Sequence, residues 1–239
     1  MKILVVNDDS ISAPGIEMLA RVAAEFGEVW VVAPARQCSA MSQKLTLRET
    51  LTVEKVEDFP VKVQGAYKVE GTPVDCVKVA LDYILEEIPD WIFSGINNGY
   101  NVGFDIAYSG TLGAAFEAVR HGIPAMAFSV AHDSHLPYTE PHLAEAIGEL
   151  LGTGLKRGEV WNVNFPAMKH GGKGILRNRP VANISLYREK YIETRLPDGS
   201  VVLTNQGIPT PNEQIPEGTD AWAVRNGYIA IGKVNGFVL

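Results

Sequence analysis

The chain has 239 residues, 46% hydrophobic and 21% charged, which suits one large globular domain or a core with an extension. Lys and Arg number 21 against 28 Asp and Glu, a formal charge of -7. That balance disfavours the cationic stripe of a polyanion-binding surface, so no stable nucleic-acid complex is expected, but it allows the binding of one small phosphate ester. No apolar stretch reaches the roughly 20 residues of a membrane span. The apolar run that opens the chain is too short for a signal sequence and ends in two acids. Two cysteines, Cys38 and Cys76, imply no disulfide framework, so the expected compartment is the cytoplasm.

In chain order, residues 3–6 form a β-branched and Leu run, predicted as a strand buried on both faces of a parallel sheet. After a polar turn, Ile16, Leu19, Ala20, Ala23 and Phe26 recur at helical spacing, with Gly27 at the helix end. Residues 29–32 are the next strand, which completes a βαβ unit. Residues 45–69 read as β-ribbon with turns, and residues 72–85 as one helix with Val74, Val77, Leu81 and Leu85 on a face. Strands at 91–93, 125–130 and 160–165 then alternate with helices at 111–121 and 143–151. The alternation predicts an α/β fold with a doubly wound, mostly parallel sheet over residues 1–168. Beyond the glycine-rich stretch 170–174, residues 184–203 around Pro197-Asp198-Gly199 read as a long β-hairpin. Residues 169–239 are expected to form this arm and a C-terminal extension, engaged with another subunit.

Ligands of open parallel sheets bind at the carboxyl ends of the strands. Three polar groups fall there: Asn7-Asp8-Asp9-Ser10 after the first strand, Arg36-Gln37-Cys38-Ser39 after the second, and Ser94-Gly95-Ile96-Asn97-Asn98-Gly99 after the strand at 91–93. Adjacent carboxylates repel, so a buried pair calls for a cation beside it. Asp8, Asp9, Ser39 and Asn97 supply the all-oxygen set that hard divalent cations take, and the absence of His and Cys from it argues against zinc. The competing reading of Asp8-Asp9 alone is a solvated turn at a helix N-terminus. Further on, Ser109-Gly110-Thr111 opens a helix with free N–H groups after a run of glycines and asparagines, a ready anion site. Ordinary N-capping by Ser109 or Thr111 is the alternative. Cys38 to Lys44 has the length of a phosphate loop, but Lys44 lacks the bidentate fork of Arg, so Cys38 reads as a small loop residue. His132-Asp133-Ser134-His135 reads as a surface loop.

Further motifs are dispersed along the chain: Asn7-Asp8-Asp9, Val32-Ala33-Pro34 leading to Ser39, Gly71-Thr72-Pro73 with Asp75-Cys76-Val77, and Ser94-Gly95-Ile96-Asn97. They continue through Asn101, Gly103, Asp105, Tyr108-Ser109-Gly110-Thr111, Asn162-Val163-Asn164 and Thr219-Asp220, nearly the whole chain in order. Together these motifs resemble the SurE family of 5′/3′-nucleotidases, stationary-phase survival proteins. The resemblance implies a Rossmann-like core, a homodimer or homotetramer, and hydrolysis of nucleoside monophosphates to nucleoside and phosphate. It also implies one divalent cation per subunit, Mg²⁺ or Mn²⁺, on Asp8, Asp9, Ser39 and Asn97. Asp8 and Asp9 would be the catalytic pair, and a water activated by the metal the nucleophile. Ser109, Gly110 and Thr111 are the expected phosphate donors, with Asn101 assisting and Tyr108 placed to stack on a base. The chain departs from the family pattern at Ser10, where glycine is usual, at Tyr100, where proline is usual, at Asn98, and after Tyr228.

Other classes fit less well. A signalling receiver domain needs a third aspartate ending a middle strand, and Asp58 has no such strand. Phosphatases with an aspartate nucleophile place the second acid two positions on, whereas here the acids are adjacent. A metal-dependent nucleotide sensor without catalysis uses the same pocket, and turnover alone separates it from an enzyme. No His or Lys stands in the matched motifs to activate Ser39, so direct attack by water is expected, without a phosphoenzyme.

Overall fold

The computed structural model describes residues 1–132, 136–167 and 172–236. The first half runs β1 (Lys2–Val6), α1 (Pro14–Ala23), β2 (Glu28–Pro34), β3 (Val53–Lys55), β4 (Gly65–Val69), α2 (Pro73–Val79) and β5 (Trp91–Asn98). It continues with α3 (Gly110–Arg120), β6 (Ala125–Val130), α4 (Glu140–Leu151), β7 (Glu159–Phe165) and β8 (Ile175–Leu176). The last part is β9 (Tyr187–Arg195), β10 (Val201–Pro209), α5 (Asp220–Arg225) and β11 (Ile229–Asn235).

Among the described residues a nine-stranded sheet has the order β3-β4-β2-β1-β5-β6-β7-β11-β8, and β9 and β10 pair only with each other. From β4 to β7 the sheet is parallel throughout, with antiparallel pairs at β3·β4 and β7·β11. This is the doubly wound, mostly parallel arrangement expected from the alternation of elements. Because β1 is buried on both faces, its side chains divide by parity. Ile3 and Val5 pack with α1 and α4, while Leu4 and Val6 pack with α2 and α3. The chain leaves β1 toward β2 through α1 and leaves β5 toward β6 through α3, in opposite directions along the sheet. The loops after β1 and β5 therefore part, and the crevice between them is where such folds bind ligands.

Three elements differ from the sequence reading. β5 does not stop at Phe93 but runs to Asn98, with its register against β6 shifting between Ser94 and Asn97. Gly95, at φ +135°, presses on the Phe128 carbonyl where a Cβ would collide, which is why a glycine interrupts the apolar run here. Residues 72–85 are not one helix: α2 ends at Val79 and a wider π-helical turn, Ala80–Ile84, follows. The ribbon at 45–69 contains only the short β3 and β4, of which β4 joins the parallel run beside β2. The boundary at 168/169, His170 and Gly171 of the glycine-rich stretch, and Asp133, Ser134 and His135 all lie outside the described residues.

Candidate functional site

Asp8 and Asp9 follow β1 directly, but their surroundings differ. Asp8 is 3% exposed. The Cys38 N–H donates to its main-chain carbonyl across 2.7 Å, and the Thr111 hydroxyl donates to its Oδ1 across 2.8 Å. Burial pushes the Asp8 carboxyl up to about 6; the Thr111 hydroxyl opposes this, and the charge of Asp9 adds to it. A Cβ on Gly110 would stand 3.0 Å from Asp8 Oδ2, so the first residue of α3 keeps the second carboxylate oxygen uncovered. The N-terminus of α3, the loop after β2 and the carboxylate after β1 thus meet at one point.

Asp9 lies on the other side of the turn. Its Oδ2 accepts from the Asn98 N–H at 2.8 Å and its Oδ1 from Gln37 Nε2 at 3.3 Å. Asn97, one residue before Asn98, donates Nδ2 to the Gly99 carbonyl at 2.7 Å. That bond fixes the amide so that its oxygen is the atom left for a ligand. Ser39 is exposed and follows Cys38, the residue bonded to Asp8. All four predicted oxygen ligands thus sit on, or one residue from, direct bonds to the Asp8-Asp9 turn.

The residues expected to bind phosphate are placed less uniformly. Ser109 is the N-cap of α3, its hydroxyl accepting from the Leu112 N–H at 3.1 Å. Gly110 and Thr111 stand at the first two helical positions, ahead of the first intrahelical bond. The Thr111 side chain is fully buried and committed to Asp8, and the Thr111 main-chain N–H also acts on that carboxylate. Asn101 donates Nδ2 to Ser129 Oγ at 2.8 Å, while Asn162 and Asn164 clamp its main chain at 2.8 and 3.1 Å. Tyr108 is 62% exposed, and its carbonyl accepts from the Ser42 N–H.

Several supporting residues carry no role in the sequence reading. Thr72 and Asp75 form a reciprocal capping box on α2. The same pair grips the loop after β2: the Thr72 hydroxyl donates to the Lys44 carbonyl at 2.6 Å, and Asp75 accepts from the Thr46 N–H and hydroxyl. Threonine followed by proline and, three residues on, an acid is a readable helix-start signal; its second task is not. Asn162 and Asn164 alternate along β7, which aims both at one face. Two amides at that spacing in a buried strand were the available sign. Asp220 and Asp105 tie the loop after β5 to the base of the hairpin, Asp220 accepting from the Gly103 and Ala182 N–H groups and Asp105 from Leu186.

The donor set fits a hard divalent cation. It contains two carboxylates, an amide oxygen and a hydroxyl, and the Asp8 carboxylate is buried without a cationic side chain on it. Among the described residues no three His, Cys, Asp or Glu gather as a metal centre, at this site or at any other, so the fit rests on mixed oxygen donors.

The family model described as Survival protein SurE matches residues 3–185. The chain belongs to the SurE family. It is similar to 5′-nucleotidase SurE of Flavobacterium psychrophilum, 40% identical over 97% of this chain and 90% of that one. It is also similar to 5′-nucleotidase SurE 1 of Thermus thermophilus, 38% identical over 98% and 92%. The crystal structure of the SurE protein from Aquifex aeolicus superposes with a TM-score of 0.85 at 33% identity, covering 100% of this chain and 95% of that one. Within this SurE scaffold the departure at Ser10 has a visible consequence: Ser10 adopts φ 96°, in the region that favours glycine.

Proposed function

We propose that the chain is a metal-dependent phosphomonoesterase that hydrolyses nucleoside 5′-monophosphates, with 3′-monophosphates as possible further substrates, to nucleoside and phosphate. The observation that carries this reading is the buried Asp8 carboxylate, held by Thr111 on one oxygen and left open beside Gly110 on the other, at the N-terminus of α3. Names of relatives as 5′-nucleotidases point the same way.

In this reading Asp8, Asp9, Ser39 and Asn97 hold one divalent cation, Mg²⁺ or Mn²⁺. When bound, such a cation offsets charge on the phosphoryl group and lowers the pKa of water at neutral pH. The chain's own part is positional. The N–H of Gly110 opens the helix end assigned to the phosphate, where helix polarity also favours an anion, while Thr111 holds Asp8 beside it. Ser109 fixes that first turn by capping it, and Gln37 and the Asn98 N–H fix Asp9. Asn101 braces the loop that carries Tyr108, whose exposed ring is available to a substrate.

The cytoplasm is the compartment we assign, since Cys38 and Cys76 are both free and buried. No helix among the described residues is long and apolar enough to cross a membrane. We take residues 1–168 as the core and residues 169–239 as the arm and C-terminal segment of a homodimer or homotetramer. The test of function is phosphate release from nucleoside monophosphates across Mg²⁺, Mn²⁺, Co²⁺ and Ca²⁺. Activity that vanishes with chelator and returns with Mg²⁺ or Mn²⁺ is the expected outcome. Binding without turnover under every metal would make the chain a sensor instead.

A further inference from the structure

The loop after β2 carries Ser39 and is bent against its own preference. Ala40 and Ser42, just beyond Ser39, adopt φ 57° and 51°, the left-handed region that residues with a Cβ disfavour. Such a conformation persists only where the surroundings over-determine it. We propose that Asp75 and Thr72, at the start of α2, are positioning residues that supply this constraint and so present the Ser39 hydroxyl to the divalent cation. The inference rests on the reading of Ser39 as a metal ligand and adds to it what holds that ligand in place.

Three observations support it. First, the loop is fixed on both sides of Ser39. Ahead of it, Cys38 is buried; its N–H donates to the Asp8 carbonyl at 2.7 Å, and its Sγ lies 3.6 Å from the Gly71 carbonyl oxygen. Behind it, the Thr72 hydroxyl donates to the Lys44 carbonyl at 2.6 Å. Asp75 accepts there from the Thr46 N–H at 3.0 Å and from the Thr46 hydroxyl at 2.7 Å. Without this second anchor, Ser39 is held from one side only, and the turn at Ala40 and Ser42 is free to relax. Second, Asp75 does more than a helix cap requires. Capping α2 uses the Thr72 N–H on Asp75 Oδ2 at 2.8 Å and the Asp75 N–H on the Thr72 hydroxyl at 3.2 Å. The two bonds to Thr46, 29 positions earlier, add nothing to that cap. Asp75 is 1% exposed, and among the described residues no Lys, Arg or His pairs with it, so its carboxylate is committed to these donors. Third, the middle of the loop is seated on the elements that lead into α3. The Ser42 N–H donates to the Tyr108 carbonyl at 3.0 Å, and the Ser42 carbonyl oxygen fills the place a Cβ on Gly113 would take. The loop therefore spans from Asp8 to α2 across the start of α3, and Ser39 faces solvent from its tethered end.

The test reads Mn²⁺ affinity by calorimetry on metal-stripped protein. Asp75→Asn keeps the size of the side chain but turns one acceptor into a donor, and it should weaken Mn²⁺ binding by about fivefold or more. Thr46→Val removes one donor to Asp75 and leaves both bonds of the α2 cap; a loss of about threefold is expected, recovered by Thr46→Ser. A role confined to capping α2 would leave Thr46→Val at wild-type affinity, and that result overturns the proposal. The deciding measurement is a double-mutant cycle with Ser39→Ala. If Asp75 and Thr46 act through Ser39, then Asp75→Asn and Thr46→Val cause no further loss once Ser39 is alanine. Losses that simply add would place their effect elsewhere and also overturn the proposal. Should Asp75→Asn fail to fold, Thr46→Val carries the same cycle alone. Wild-type affinity in Ser39→Ala would instead refute Ser39 as a ligand, and a wild-type protein that binds no Mn²⁺ would refute the metal centre itself.

Discussion

The Thr111 hydroxyl, fully buried in the first turn of α3, donates to Asp8 Oδ1 across 2.8 Å. One bond therefore couples the helix proposed to receive the phosphate to the carboxylate proposed to receive the cation. It occupies one oxygen of Asp8 and turns the other toward the space beside Gly110. Hydrogen-bond partners of metal ligands typically contribute 10–100-fold to metal affinity, roughly the effect of a misoriented ligand.

Thr111→Val keeps the shape and removes the donor. We expect a loss of about tenfold or more in Mg²⁺ or Mn²⁺ affinity, read by calorimetry on metal-stripped protein. Thr111→Ser, which restores the hydroxyl, should return to near wild type. Equal affinities in wild type and Thr111→Val would reduce the bond to a packing detail.

The burial of Asp8 sets a pH dependence with a definite sign. Its carboxyl titrates near 3.8 in the unfolded chain and at about 6 in the metal-free fold, so the fold holds this proton more tightly. Stability of the metal-free protein therefore falls as pH rises from about 4 through about 6, by on the order of 3 kcal/mol for this group. Asp8→Asn removes the charge and keeps an oxygen for Thr111 to bond. Without metal it should melt higher than wild type at pH 7.5, by about 5 °C or more, and at nearly the same temperature at pH 4. A lower melting temperature at pH 7.5 would show that the ionised carboxylate is not a burden to the empty fold.

Much of this was readable in the chain. The continuous apolar run of β1 and the amphipathic spacing of α1 forecast the sheet, and the strand-end position of Asp8 and Asp9 forecast the crevice. The unread parts depended on contacts distant in sequence. β5 continues to Asn98 only because β6 pairs with it beyond the irregularity at Ser94, and nothing local to Gly95-Ile96-Asn97 signals a strand. Gln37 and the Asn98 main chain could not be linked to Asp9 from sequence, since their bonds span 28 and 89 positions. Thr111 was placed at the right helix end, but its hydroxyl bonds a side chain 103 positions earlier rather than a ligand.

Ser10 gives a prediction about stability. Its φ of 96° costs an L-residue about 1–2 kcal/mol, which glycine avoids while losing more entropy on folding. The turn itself is well anchored, because the Ser10 carbonyl accepts from Asn7 Nδ2 at 2.7 Å and from the Ala13 N–H at 3.2 Å. The serine hydroxyl has only an exposed 3.3 Å contact with Ser12 to lose. Ser10→Gly should thus raise stability by about 1 kcal/mol, a shift of about 2–4 °C in thermal melting. A drop in melting temperature would mean that the side chain contributes more than its strain costs.

The arm yields the last prediction, which concerns assembly. β9 and β10 pair over nine residues each and, among the described residues, bond to no other strand. An isolated two-stranded ribbon is marginal in water, and this one exposes apolar side chains on both faces. Strand alternation puts Tyr191, Val201 and Leu203 on one face and Ile192 and Val202 on the other, all between 43% and 60% exposed. A second copy of the chain covering these residues would remove the exposure, so the protein should be at least a dimer at micromolar concentration. The register offers a clean truncation. Glu189 and Gly207 face each other, so residues 190–206 can be replaced by an Asn-Gly turn that closes the shortened hairpin. Light scattering should then report a smaller assembly than wild type, with the melting of the Asp8-containing core retained. A wild-type monomer, or an assembly unchanged by the truncation, would show that the arm does not hold the subunits together.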